Sequence, residues 1–240
     1  MNKTILFAFA HPDDETFACA GTIARYHKDA RCIVYCATRG EAGKTGEPPL
    51  CTTQELAGVR ANELQQACDV LGVSSLSLRQ FPDGSLDRYE TPLYKDLLHT
   101  LQEVQPQIVI TFPPHGISGH PDHQTIQRNT LKAVQQLPNN TRPRLLYITI
   151  PTSIQRERAL PIYSTPDDQI NITIDVRPYR TTIIEALRQH RTQHLSVERV
   201  FPTALSGNVH SIRATEYYQE VEVGSLQPPL PRHHFFTYEK

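Results

Sequence analysis

Hydrophobic positions recur along this chain in two alternating rhythms. Short runs rich in β-branched and aromatic residues, at Thr4 to Ala10, Cys32 to Thr38, Ser75 to Gln80, Gln107 to Phe112 and Arg144 to Ile150, read as buried strands. Between them lie longer stretches whose apolar residues return every three or four positions, which predicts helices over 14–28, 53–71, 90–104 and 122–137. The second helix has the clearest stripe, with Leu56, Val59, Leu64, Ala67 and Leu71 on one side and Gly72 placed to end it. Alternation of this kind predicts an α/β fold, βαβ units around a parallel sheet flanked by helices. The last third is less regular. A strand over Ile170 to Val176, a helix over Thr181 to His194 and an edge strand over Thr215 to Val223 are expected there. A chain of 240 residues can be served by one core, so a single domain over 1–240 is expected.

In an open α/β sheet, ligands sit beyond the carboxyl ends of the strands, so the residues immediately after each strand carry the greatest functional weight. The first strand runs into Ala10-His11-Pro12-Asp13-Asp14-Glu15, an imidazole and three carboxylates within five residues. Helix capping accounts for one of those carboxylates, but two adjacent aspartates repel each other unless a cation offsets them. The fourth strand leads to His120-Pro121-Asp122-His123 at the same edge of the sheet. Imidazoles and a carboxylate are the usual protein ligands of catalytic zinc, three from the protein with a fourth position left for water. His11, Asp14 and His123 meet that count. Asp13, free of the metal, is placed to take a proton from water, and His120, held by Asp122 through its ring N–H, to donate to an oxyanion or a departing amine. The same donors suit ferrous iron or another divalent ion. His115, His190 and His194 are read as structural.

Composition narrows the partners. Lys plus Arg number 24 against 25 Asp plus Glu, without blocks of like charge, so no nucleic acid or anionic membrane partner is expected. The apolar stretch Ile5 to Ala10 is too short to cross a membrane, and a cytoplasmic protein with a small-molecule substrate is expected. The five cysteines form no Cys-x-x-Cys pair and read as reduced thiols. Gly43-Lys44-Thr45 lacks the upstream glycine of a phosphate-binding loop, and no Gly-x-Gly-x-x-Gly comes after the first strand. Tyr217, Tyr218, Phe235 and Phe236 are expected to pack or to form a subunit contact.

At its two clusters the sequence resembles the LmbE-like (PIG-L) zinc-dependent N-acetylglucosaminyl deacetylases, over most of the chain to about residue 150, and is most similar to the compact bacillithiol-type members. The resemblance implies a Rossmann-like core at about 1–150 with a mixed C-terminal extension at about 151–240. It also implies zinc on His11, Asp14 and His123, Asp13 as general base and His120 paired with Asp122. The substrate implied is an N-acetyl amino sugar, and the assembly a homo-oligomer, trimer or hexamer. Glu41, Arg60 and Asp83 resemble the family's substrate-binding positions, although Arg60 and Glu63 stand three apart on a helix and Asp83-Gly84 is a common turn. Some family members carry a tyrosine two residues before the second motif; here that residue is Ser118. Two other functions fit the same residues: an amidase of thiol S-conjugates, and a non-catalytic metal-dependent sugar-binding protein.

Overall fold

The computed structural model describes residues 3–157, 161–223 and 234–236. Seven strands form one sheet: β1 (Thr4–Phe9), β2 (Arg31–Cys36), β3 (Ser75–Leu78), β4 (Ile108–Thr111), β5 (Arg144–Thr149), β6 (Ile172–Asp175) and β7 (Thr215–Val221). Their spatial order is β3-β2-β1-β4-β5-β7-β6. The first five are parallel, with Ile5 opposite Cys32 on one side and Ile108 on the other, while β7 runs antiparallel to both β5 and β6. The α/β reading and its mixed C-terminal part are therefore found.

Helices α1 (Asp14–Tyr26), α2 (Leu56–Leu71), α3 (Glu90–Val104) and α4 (Pro121–Gln136) supply the crossovers. Helix α1 packs with α2, and α3 with α4, as right-handed connections to opposite faces require. The centre of the sheet is buried on both faces: every residue of β1 and β4 is buried, which explains their unbroken apolar runs. The chain winds outward from β1 to β3, then returns to β4 beside β1. That reversal opens a crevice between the carboxyl ends of β1 and β4, where both His/Asp motifs emerge.

Two expectations for the last third change, while the strand over Ile170 to Val176 is found as β6. The predicted helix over Thr181 to His194 is two, α6 (Arg180–Leu187) and α7 (His194–Val200), joined by a 3-10 turn at Arg191–Gln193; a shorter α5 (Thr152–Glu157) precedes them. The span over Thr215 to Val223 is not an edge strand, because β7 lies between β5 and β6 and the edge belongs to β6. Polar alternation is misleading here. Glu216 on β7 is buried, and its carboxylate accepts the N–H groups of Gly21 (2.9 Å) and Thr22 (2.9 Å) and the Thr22 hydroxyl (2.5 Å) in the middle of α1. Arg213 takes the Phe17 carbonyl of the same helix, so the strand pins α1 through its backbone. All five cysteines are free, and four are buried. Among the described residues no helix is long and apolar enough to cross a membrane.

Candidate active site

After β1 the chain turns through Ala10 to Asp13 into α1. Asp14 closes that turn, its Oδ2 accepting the N–H of Ala10 (3.2 Å) and of His11 (2.8 Å). Asp13 caps α1 in a left-handed conformation, φ 105°, that costs a non-glycine residue about 1–3 kcal/mol and persists only where neighbours over-determine it. Here they do. Its N–H donates to Glu15 Oε2 (3.1 Å), its carboxylate meets Arg60 Nη2 at 3.0 Å, and the same guanidinium binds the Pro12 carbonyl and, through Nη1, that of Gly40 (2.9 Å).

Across the crevice, β4 leads into a loop that turns sharply at Gly116, Ile117 and Gly119, all at positive φ, and delivers His120 as the N-cap of α4. His120 Nδ1 accepts the N–H of Asp122 (3.2 Å). A neutral ring therefore carries its proton on Nε2. The His123 ring stacks on Phe112, centroids 4.0 Å apart and 9° from parallel, and its Nδ1 lies 3.0 Å from the Gly116 carbonyl. That contact requires a proton on Nδ1 and leaves Nε2 a lone pair.

Three donors converge. His11 Nδ1 and His123 Nε2 are 3.2 Å apart, His123 Nε2 lies 3.2 Å from Asp14 Oδ1, and His11 Nδ1 lies 3.5 Å from Asp14 Oδ2. An ion about 2.0–2.1 Å from each of three tetrahedral ligands sets them roughly 3.3–3.4 Å apart; the two 3.2 Å separations at His123 Nε2 come close to that spacing, while His11 faces the other oxygen of Asp14. Behind His11, Nε2 meets Asp83 Oδ1 at 3.0 Å and Asp122 Oδ2 at 3.2 Å, the carboxylate backing that orients a metal-ligating imidazole. His11, His120 and His123 form a second possible metal grouping, and His11, Asp83 and Asp122 a third. In the first of these His120 Nδ1 caps α4, and in the second the two carboxylates lie at His11 Nε2, whereas His123 faces Nδ1.

The electrostatics ask for positive charge. Burial works against ionisation of His11, yet the hydrogen bonds it donates to Asp122, Asp14 and Asp83 hold its pKa well above the usual value. Asp14 sits well below the usual carboxylate range despite burial, because His123 and His11 face it. Asp13 is pushed the other way, to about 6, by burial, with Arg60 opposing and Asp14 adding to the rise. His120 is lowered by burial and by the neighbouring His11 and His123.

The expected pairing of His120 with the Asp122 carboxylate is corrected. That carboxylate is fully buried and spends itself on His11 and on the N–H groups of Gly84 (2.7 Å) and Leu86 (3.0 Å); His120 receives only the Asp122 backbone N–H. Arg60 is buried beneath Asp13, and Glu63 bonds Thr192 rather than Arg60. Glu41 and Asp83 clasp two loops, Glu41 Oε1 accepting the Asp83 N–H (2.9 Å) and Asp83 Oδ2 that of Ala42 (3.0 Å). His190, read as structural, is a buried and paired side chain: it reaches from the C-terminal third to lie 2.9 Å from Glu15 Oε1, both fully enclosed, a contact the sequence reading does not name. Glu15 in turn fixes the Asp13 backbone, and the density of acids in the first motif is the one signal that points to it.

Fold and crevice together define a class of protein, a doubly wound α/β chain with an imidazole and carboxylate cluster at the switch point between β1 and β4. The chain belongs to the PIG-L family, described as GlcNAc-PI de-N-acetylase, whose model matches residues 6–134, more than half of its 240 residues. It is 32% identical over 195 residues to a probable N-acetyl-alpha-D-glucosaminyl L-malate deacetylase 2 of Bacillus anthracis, covering 80% of this chain and 81% of that one. It is 30% identical to a 1D-myo-inositol 2-acetamido-2-deoxy-alpha-D-glucopyranoside deacetylase of Mycolicibacterium vanbaalenii, covering 89% of each. Among solved structures, the N,N'-diacetylchitobiose deacetylase from Pyrococcus horikoshii, complexed with its inhibitor MPG, shares the fold with a TM-score of 0.71 at 24% identity, over 92% of this chain and 84% of that one.

Proposed function

We propose that this chain is a zinc-dependent N-deacetylase acting on an N-acetylglucosaminyl conjugate, its ion held by His11, Asp14 and His123. The observation that carries the reading is that His123 Nε2 lies 3.2 Å from both His11 Nδ1 and Asp14 Oδ1, with the Asp13 carboxylate of raised pKa next in the chain. The relatives' deacetylase activities on glucosaminyl malate and inositol compounds support the substrate class.

An ion held by His11, Asp14 and His123 would supply Lewis acidity toward the amide carbonyl and a lowered pKa for water bound to it. The remaining steps belong to the protein. Asp13, held by Arg60 at the mouth of α1, takes the water proton; a carboxylate titrating near 6 is also acid enough to return it to the departing amine at neutral pH. His120, neutral with its proton on Nε2, donates a hydrogen bond to the developing oxyanion. Asp122 and Asp83 hold His11 in the tautomer that presents Nδ1. The enzyme is read as a cytoplasmic homo-oligomer, trimeric or hexameric, which sedimentation velocity checks.

Acetate release is the test, with protein loaded with zinc or with ferrous iron and offered N-acetylglucosamine, its oligomers, and its malate and inositol glycosides. Turnover of one of these, abolished in Asp13→Asn, supports the assignment. Stoichiometrically loaded protein that releases no acetate from any of them overturns it.

A further inference from the structure

Among the large apolar side chains left exposed in the described residues, Tyr163 stands furthest into solvent, at 59% against 39% to 48% for Leu50, Tyr89, Leu195 and Val200. Its backbone is nevertheless tightly held. Tyr163 N–H donates to the Ile117 carbonyl (2.7 Å), in the loop that delivers His120. Two residues on, Thr165 bridges to Pro151, exchanges backbone hydrogen bonds with Ile150 and Thr152 (2.9 Å each), and buries its hydroxyl 2.6 Å from that of Thr149 at the end of β5. The tyrosine is thus fixed at the sheet's carboxyl edge while its ring is left open to water.

That ring lies on Gly119. A Cβ at Gly119 would come within 2.9 Å of Tyr163 Cε2, so the close approach depends on glycine, which also supplies the φ of 78° the turn needs. The ring also neighbours that of His115, centroids 5.8 Å apart with planes tilted by 30°. Immediately after Gly119 stands His120, whose ring is 4.8 Å from that of His11. A flat apolar surface therefore stands one residue from the reacting groups, on the solvent side.

The chemistry of an amino sugar calls for such a surface. A pyranose has a polar rim of hydroxyls and a face of C–H bonds. The carboxylates and imidazoles of the cluster suit the rim and the acetamide, and none of them offers the face a partner. Aromatic rings with one wet edge fill that role in ligand sites. We propose that Tyr163 is the platform on which the substrate's pyranose ring lies, a specificity-determining contact that rests on the deacetylase reading above.

Tyr163→Ala and Tyr163→Phe, in the zinc-loaded protein, test it. With N-acetylglucosamine and its methyl α-glycoside as probes, Tyr163→Ala raises KM for both alike by roughly three- to tenfold, the weight of one aromatic contact, and leaves kcat within about twofold. Tyr163→Phe keeps the wild-type KM. An unchanged KM in Tyr163→Ala, a fall in kcat alone, or equal damage from Phe and Ala would overturn the proposal. Saturation-transfer NMR with glucosamine gives a readout that needs no turnover: transfer to the ring protons is lost in Tyr163→Ala if the platform exists and persists if it does not. Wild-type protein that releases no acetate sinks the deacetylase assignment, and the NMR result still decides the platform.

Discussion

Replacing Asp122 by asparagine separates two ways of wiring this site. The carboxylate is fully buried; Oδ2 lies 3.2 Å from His11 Nε2 and 2.7 Å from the Gly84 nitrogen, and Oδ1 accepts the Leu86 N–H at 3.0 Å. Asparagine matches its size and keeps one oxygen for these donors. It loses one of the two carboxylate charges that favour a proton on His11 Nε2, Asp83 at 3.0 Å keeping the other, and so weakens the preference for a bare Nδ1. A hydrogen bond to a charged group contributes about 1.5–3 kcal/mol, which at roughly 1.4 kcal/mol per decade is tenfold to hundredfold in an equilibrium constant. Loss of the carboxylate behind a ligating histidine costs a comparable roughly 10–100-fold in metal affinity. Zinc affinity of Asp122→Asn, measured by competition with a chromophoric chelator, should therefore fall by that factor, with far-UV circular dichroism unchanged. Affinity within twofold of wild type alongside a large drop in kcat would refute the reasoning, because it would put the carboxylate in the service of His120.

The same geometry sets three further outcomes. Arg60→Met leaves the buried Asp13 carboxylate without its ion pair and should destabilise the fold by about 3–5 kcal/mol in urea melts while depressing kcat; stability within about 1 kcal/mol of wild type would contradict the structure. Prolonged dialysis against a strong chelator should abolish acetate release, and stoichiometric zinc should restore it; full activity in metal-free protein refutes the ligand assignment. Burial raises the pKa of Glu216 above the ordinary glutamate value. The folded state then binds more protons than the unfolded one, so this group's contribution to stability falls as pH rises from the unfolded pKa through the folded one. The stability of wild type relative to Glu216→Gln should drop across that window and level off above it, and a pH-independent difference would count against a raised carboxylate.

Much of the site is legible in the sequence because its signals are local. His11, Asp13 and Asp14 crowd into one turn after a strand whose apolar run is unmistakable, and His120, Asp122 and His123 repeat the arrangement after another. The β1 to β5 core comes from the same rhythm, its strands being buried on both faces. What escapes is contact over long sequence separation. The partner of Arg60 is a capping residue 47 positions earlier, although Glu63 stands nearer in the helix. The Asp122 carboxylate meets His11 rather than its neighbour His120, since an N-cap ring can reach only the backbone of the turn it caps. Most instructive is β7, whose Glu216 has the look of the solvent face of an edge strand. Its carboxylate is buried because it has backbone amides of a helix to satisfy, and nothing in a strand's own pattern reveals that.

That grip of β7 on α1 also bears on how the chain is made. Every proposed ligand has left the ribosome once residue 123 emerges, yet the helix that carries Asp14 receives the Glu216 carboxylate and the Arg213 guanidinium only some ninety residues later, by the separations of 195 and 196 positions at Gly21 and Phe17. Domains synthesised from the N-terminus gain structure in that order. A nascent chain thus displays both motifs before β7 can brace α1, and a fragment ending before β7 should carry all three proposed ligands and bind zinc more weakly than the full chain.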